Sequence, residues 1–252
     1  VSARKALVAA RRSAEITSLG GKLDPSRPTV ISLCDLTGHM VQPWVEAGYN
    51  AILIDPQHGT SRVEGRIAYV AGTIEDALGL IGDVMRAGRI AIIFGFPPCT
   101  DMAVSGARWF ESKRAADAMF QAKAVMVAEQ CRTAGRLSGA PWMVENPVSV
   151  LSSAFGKPQH TFHPADYTAY EPADNYTKKT CLWTGGGFIM PQPAKDGSLG
   201  APDNRIHYAS PGAERANFRS ATPMGFARAV FEANTNRMID AGRNAGELVG
   251  VA

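Results

Sequence analysis

The chain has 252 residues, of which 45% are apolar and 19% charged, the composition of a soluble globular protein with enough apolar residues for a sizeable core. It has no run of about 18 apolar residues and no long apolar stretch in VSARKALVAARRSAEITS, so neither a transmembrane helix nor a secretory signal is expected. A net charge of +3 permits a polyanionic partner without demanding one.

The first half of the chain alternates strand and helix signals, as one large α/β domain would, with two small domains as the alternative. A helix is expected over about 3–19, followed by a loop with Gly20, Gly21 and Pro25. PTVISLCD (28–35) is a short run rich in β-formers and reads as a buried strand. VQPWVEAGY (41–49) reads as a short helix ending at Gly48, and YNAILIDP (49–56) as a second buried strand stopped by Asp55-Pro56. IAYVAGTIED (67–76) is a third strand and loop, EDALGLIGDVMRAG (75–88) a helix, and RIAIIFGFPP (89–98) a fourth strand. One long helix is expected over about 111–135, with an apolar face of Ala115, Ala116, Met119, Phe120, Ala122, Val125, Met126 and Val127. APWMVENP (140–147) is a fifth strand. Such alternation predicts a doubly wound, mostly parallel, Rossmann-like sheet covered on both faces.

The pattern changes after residue 147. Residues 148–217 are rich in proline, glycine and aromatics, with strand-like pieces QHTFHP, KKTCLWTG, GGFIMP and NRIHYA, and helix returns at about 223–241. The expected organisation is a cofactor-binding and catalytic core over 1–147, a small irregular substrate-recognition region over 148–217, and a C-terminal helix returning to the core over 218–252.

Ligands of open α/β sheets bind outside the carboxyl ends of the strands. Strand one ends in Asp35-Leu36-Thr37-Gly38-His39, strand two in Asp55-Pro56, and strand three in Glu75-Asp76. Asp35 and Asp55 are 20 residues apart. An acid at the end of strand two can accept both ribose hydroxyls, and Glu75 or Asp76 can meet an adenine amino group. There is one glycine in DLTGH and no G-x-G-x-x-G, which argues against a pyrophosphate cradle. A tight strand-to-helix turn would also use Gly38. The layout suits adenosine without phosphate, hence S-adenosyl-L-methionine rather than NAD.

Four cysteines stand at 34, 99, 131 and 181, none at C-x-x-C spacing, so neither a zinc site nor a disulfide framework is expected and reduced thiols in a cytoplasm fit best. Cys34 and Cys131 read as small apolar fillers. Cys99 differs, because FGFPPCTDMAVSG (94–106) sets it behind two prolines at the end of strand four. Proline fixes φ and pushes the preceding residue to extended backbone, so the thiol is held in place. Glu145 follows Trp142-Met143-Val144, an acid where a buried strand ends and costly there without a partner.

Asp35-Leu36-Thr37-Gly38, the Asp55 strand end, Gly95-Phe96-Pro97-Pro98-Cys99 and Glu145-Asn146-Pro147, in this order, resemble the cytosine-C5 DNA methyltransferases, most of all their short phage-type members. The resemblance runs from about residue 28 to 235. It implies a class I methyltransferase fold, S-adenosyl-L-methionine as cofactor, and double-stranded DNA with a flipped cytosine as substrate. It also implies a cytoplasmic monomer with no membrane partner and no metal. Cys99 would be the nucleophile and Glu145 the partner of the cytosine edge. Cofactor contacts would come from Asp35, Leu36, Thr37, Gly38, Asp55, Pro56, Asp76 and Pro97. Substrate contacts would come from Pro98, Thr100, Ser105, Arg108 and Asn146, with Thr100 to Arg108 as a loop that closes over the base. Tyr176-Thr177-Lys178-Lys179-Thr180 stands where the family has Gln-x-Arg-x-Arg; Lys178 and Lys179 keep the charge but lose bidentate contacts. Arg219-Ser220-Ala221-Thr222-Pro223 resembles a structural Thr-Pro element.

The departures are Thr37 where the family has phenylalanine, a missing second glycine, no evident C-terminal Gly-Asn element, and only about 40 residues between the lysine pair and Arg219. Other readings stay open on the sequence: folate- or S-adenosylmethionine-dependent C5 modification of a free pyrimidine nucleotide, transfer of a modified one-carbon group to DNA cytosine, or a decayed module that only binds. His39, His58, His160, His163 and His207 read as surface or loop residues.

Overall fold

The computed structural model describes residues 3–208 and 220–235. Its centre is a single mixed, mostly parallel sheet of eight strands, an α/β architecture compatible with a Rossmann-like fold. The strands are β1 (Thr29–Leu33), β2 (Asn50–Ile54), β3 (Arg62–Glu64), β4 (Ile67–Val70), β5 (Ile90–Gly95), β6 (Trp142–Pro147), β7 (His160–Phe162) and β8 (Thr180–Gly185), in spatial order β3-β4-β2-β1-β5-β6-β8-β7. Strands β4, β2, β1, β5 and β6 run parallel, while β3 and β8 are antiparallel to β4 and β6.

Sequence chemistry explains the parallel centre. TVISL and NAILI are buried at every position, and IAIIFG at all but its first. A strand buried on both faces needs apolar residues throughout, with β-branched side chains fitting the pleat. One face, with Ile31, Leu33, Ile52, Ile54, Ile93 and Val144, shares a core with Ile16 and Leu19 at the end of α1 (Ala3–Ser18), with Leu80, Ile81 and Val84 of α3 (Leu78–Arg86), and with Ala128, Cys131 and Ala134 of α5 (Phe120–Ser138). The opposite face carries Val30, Leu53 and Phe94; the ring of Trp44, in α2 (Gln42–Glu46), lies 6.2 Å from that of Phe94.

The structure corrects several expectations. The long helix expected over 111–135 is two helices, α4 (Phe110–Ala116) and α5, separated where Asp117 takes an extended backbone. The Asp117 carboxylate accepts from the Met119 N–H at 3.0 Å and from Lys123 Nζ at 2.6 Å, so it caps a new helix rather than continuing the old one. The apolar face is also shifted: Met119 and Met126 are exposed, while α5 buries Phe120, as expected, together with Ala128, Cys131, Ala134 and Gly135. GGFIMP forms no strand, and NRIHYA contains the short helix α7 (Arg205–Tyr208). The small strand β3 had no apolar run to announce it. A helix α6 (Leu151–Phe155) follows β6. Of the helix expected over 223–241, residues 224–235 are helical, Pro223 precedes the helix, and 236–241 lie outside the described residues, as does Arg219.

The chain forms two compact units. The first holds the described residues up to 161 together with 179–187, and so includes β8 and Lys179. The second holds 162–178 and the described residues from 188 onward. Within the second unit Phe162 stacks on Phe226, with ring centroids 3.9 Å apart. Buried Asp174 accepts from the Gly225 N–H at 2.7 Å, at the start of the helix over 224–235. Among the described residues no helix is long and apolar enough to cross a membrane.

Candidate active site

Parallel pairing puts the carboxyl ends of four strands on one edge, and the registers align them. Ile54, Leu33, Gly95 and Val144 form one row across β2, β1, β5 and β6. The next residues along are Asp55, Cys34, Phe96 and Glu145. Successive connections go from β1 outward through β2 to β4, then return to β5 and β6 on the other side, so the topological switch lies between β1 and β5. This is where an open α/β sheet leaves a ligand crevice. The first-strand turn and the Cys99 loop flank it.

On the β1 side the turn is built by Asp35. Its Oδ1 accepts from the N–H groups of Thr37 (3.0 Å) and Gly38 (2.8 Å) and from the Thr37 hydroxyl (3.2 Å), and its Oδ2 accepts from the Ser32 hydroxyl (2.7 Å). The carboxylate is buried and committed to its own loop. Gly38 has φ +70°, and a Cβ there would meet Leu53 at 2.8 Å, so glycine is required. Leu36 is half-buried and Thr37 exposed. Because Asp35 takes the loop's N–H donors, they are not offered to a phosphate.

Asp55 is buried at the end of β2, and its Oδ1 accepts from the Gln57 N–H at 2.8 Å. This caps the short turn that opens with exposed Pro56. His58 is a loop residue, as expected, but a half-buried one. Its ring packs edge-on against Tyr69 at 5.3 Å and its Nε2 is buried, with no hydrogen-bond partner among the described residues. Burial lowers its pKa, against the pull of the Asp55 charge, a hydrogen bond to the Asp35 backbone and the Asp35 charge, and with a smaller contribution from Arg62. Sequence offered no signal for this beyond proximity to Asp55. Asp76 is also occupied: its Oδ2 accepts from the Thr73 N–H (3.0 Å) and hydroxyl (3.1 Å) and pairs with Arg12 at 3.6 Å.

On the β5 side, Pro97 is buried, Pro98 exposed and Cys99 half-buried. The Cys99 carbonyl accepts from the N–H groups of Met102 (3.0 Å) and Ala103 (2.8 Å), closing a tight turn whose Met102 is fully buried. The chain then pairs with the loop after β6: Val104 N–H donates to Val148 O and Val150 N–H to Met102 O, both at 3.0 Å. A further tie comes from Asn146, 1% exposed, whose Nδ2 donates to Pro97 O at 3.0 Å. The two prolines before Cys99 and three cross-links thus hold its loop beside the Glu145-Asn146-Pro147 segment. Thr100, Ser105 and Arg108 are exposed beyond it.

Glu145 is half-buried on β6, opposite Leu182 of β8, and Asn146 lies opposite Cys181. Burial pushes the Cys181 thiol up, the Lys179 charge lowers it and the Glu145 charge raises it, so both charged groups lie within electrostatic reach of Cys181. β8 is antiparallel to β6 and begins opposite Pro147, so exposed Lys179 arrives at the same sheet edge. Lys178 belongs to the second unit and is half-buried. Cys131 is buried against Gly95; a hydrogen bond with Cys34 and then burial raise its pKa, which fits a packing role.

The structure therefore brings Asp55, Cys99, Glu145, Asn146 and Lys179 to one edge and gives Asp35 and Asp76 internal partners. No protein-family model matches the chain, and no curated protein matches it.

Proposed function

We propose that the chain methylates carbon 5 of cytosine in DNA, with Cys99 adding to carbon 6 of a flipped-out base. The observation that carries this reading is the tie between the Cys99 loop and the Glu145-Asn146 strand end beside the sheet's switch point, made by the bond from Asn146 to Pro97. The fold assignment goes one step finer with it. Parallel β4-β2-β1-β5-β6 followed by an antiparallel β8 is compatible with a class I methyltransferase sheet.

The cofactor is S-adenosyl-L-methionine. The β1 turn has spent its N–H donors on Asp35, which suits a ligand without a pyrophosphate, and Asp55 stands where a ribose is met. When bound, this cofactor supplies an electrophilic methyl group. The Cys99 thiolate forms a bond to carbon 6. Glu145, as the acid, gives a proton to N3 and holds the amino edge, so the ring accepts the electron pair and carbon 5 becomes nucleophilic. Once carbon 5 is methylated, a base removes its proton, the carbon–sulfur bond breaks to release the thiolate, and N3 returns its proton to Glu145. Lys179, at the same edge, meets the phosphate backbone.

Methyl-labelled S-adenosyl-L-methionine, offered with duplex DNA or with free dCMP, tests the reading. Label enters DNA, is lost with Cys99→Ser and falls steeply with Glu145→Gln, while Asp55→Ala weakens cofactor binding. Label in dCMP alone would assign the chain to nucleotide modification instead.

A further inference from the structure

The segment after the nucleophile is rigid at both ends. Lys113 Nζ donates to Thr100 O at 3.2 Å and to Asp101 Oδ1 at 2.5 Å, which ties α4 to the two residues after Cys99. Phe110 packs on Phe120, with ring centroids 5.8 Å apart. Between these anchors, at the end of a 3-10 segment (Val104–Trp109), the indole of Trp109 is left in solvent. It is 56% exposed, whereas Trp44, Trp142 and Trp183 are 1%, 8% and 2% exposed. The guanidinium carbon of Arg108 lies 5.1 Å from the ring centroid of Trp109.

The surroundings are cationic. Residues 104–116 contain Arg108, Lys113 and Arg114 against one acid, Glu111. Lys113 is paired with Asp101; among the described residues Arg108 and Arg114 form no ion pair, and both are exposed. A large aromatic held rigidly in water with a guanidinium over it offers two surfaces that suit a nucleic-acid strand. Any base stacks on an indole face, and phosphates are drawn to the flanking arginines. An apolar protein surface would use the indole but would have no need of the arginines.

We infer that Trp109 is a base-stacking residue: a DNA base neighbouring the one taken by Cys99 stacks on its indole, and Arg108 meets the adjoining phosphate. This rests on the DNA reading above. It makes Trp109 a substrate-binding residue outside the cysteine–glutamate pair, and one indifferent to base identity.

The other three tryptophans are buried, so collisional quenching by acrylamide reports chiefly on Trp109. The test measures that quenching in the full chain with and without a duplex oligonucleotide. Binding of the same DNA by wild type, Trp109→Phe, Trp109→Ala and Arg108→Ala is measured across a salt series. DNA should protect the wild-type signal from acrylamide. Trp109→Ala should bind about fivefold or more weakly, the low end for loss of one base–aromatic stack, and Trp109→Phe should recover most of that loss. Arg108→Ala should flatten the salt dependence by roughly one phosphate contact. Wild type that binds DNA while Trp109→Ala binds equally well overturns the stacking role and leaves the methylation reading intact. Wild type that binds no DNA overturns both. Protection that grows with protein concentration in the absence of DNA marks contact between copies of the chain and overturns the proposal.

Discussion

The side-chain amide of Asn146 donates to the main-chain carbonyl of Pro97 across 3.0 Å, with Asn146 almost wholly buried. One hydrogen bond thus ties the end of β6 to the loop that carries Cys99. Pro97 precedes another proline and lies past the last residue of β5, where its carbonyl has left the strand's own ladder. Among the described residues, the side chain of Asn146 at the neighbouring strand end reaches it.

Asn146→Ala should therefore destabilise the fold by about 1–3 kcal/mol, the cost of leaving a buried acceptor unsatisfied. Asn146→Asp should cost more, because a carboxylate would face a carbonyl. Denaturant unfolding measures both. Loss of the tie should also change the rate at which Cys99 reacts with a small alkylating agent in the folded protein, and an unchanged rate would mean the prolines alone position the thiol.

Gly95 closes β5 with no room for a side chain. An added Cβ would meet Cys131 Cβ at 2.7 Å, its Sγ at 3.1 Å and Val144 at 3.4 Å. Gly95→Ala should cost about 1–3 kcal/mol as α5 is pushed from the sheet. The denaturation midpoint checks this; a midpoint equal to wild type would show that α5 moves freely at Cys131.

The Asp35 carboxylate serves its own turn, so the two obvious substitutions should separate. Asn keeps an oxygen for the Thr37 and Gly38 N–H groups and has an amide that can donate to Ser32, whereas Ala keeps neither. Asp35→Ala should lose about 1–2 kcal/mol, as for other side-chain caps of backbone N–H groups, and Asp35→Asn distinctly less. Equal losses in thermal unfolding would point to the charge itself as the feature that matters.

His58 gives a pH signature. Burial lowers its folded pKa below the ordinary value of about 6.5. Above that value the ring is neutral folded and unfolded, and its titration costs nothing. As pH falls below it, the unfolded chain takes the proton first and stability drops until the folded pKa is reached. Asp55 and Asp35 raise the folded value and Arg62 lowers it, but burial prevails, so the window opens at about 6.5 and runs down to the folded pKa. The melting temperature of wild type should fall more between pH 7 and pH 5 than that of His58→Gln. Parallel curves would remove His58 from the account.

The sheet was legible because β1, β2, β5 and β6 are runs of β-formers buried on both faces and stopped by aspartate or proline. Side chains that substitute for ladder partners were not legible. The N–H and C=O of Ile189 are both bonded to the Asn234 amide, at 2.9 and 3.0 Å, so GGFIMP needs no strand neighbour. Asp203 accepts from the Arg205 N–H at 2.9 Å and starts a helical turn in a stretch that reads as strand. Asp117 broke the long helix in the same way. At the site, Cys99 and Glu145 could be picked out because an acid or a thiol at a strand end is unusual. Asp35 and Asp76 look alike in sequence whether they face a ligand or fold back onto their own backbone. Trp109 reads as one more apolar residue until its exposure is known.

Covalent capture decides whether Cys99 adds to carbon 6 of cytosine. A duplex carrying 5-fluorocytosine, incubated with the protein and S-adenosyl-L-methionine, cannot lose a proton from carbon 5, so a protein that has added to carbon 6 remains bonded there. The account predicts an adduct that survives denaturation and maps by peptide mass to Cys99, absent in Cys99→Ser. A duplex that is bound but yields no adduct, or an adduct on any other residue, would contradict it.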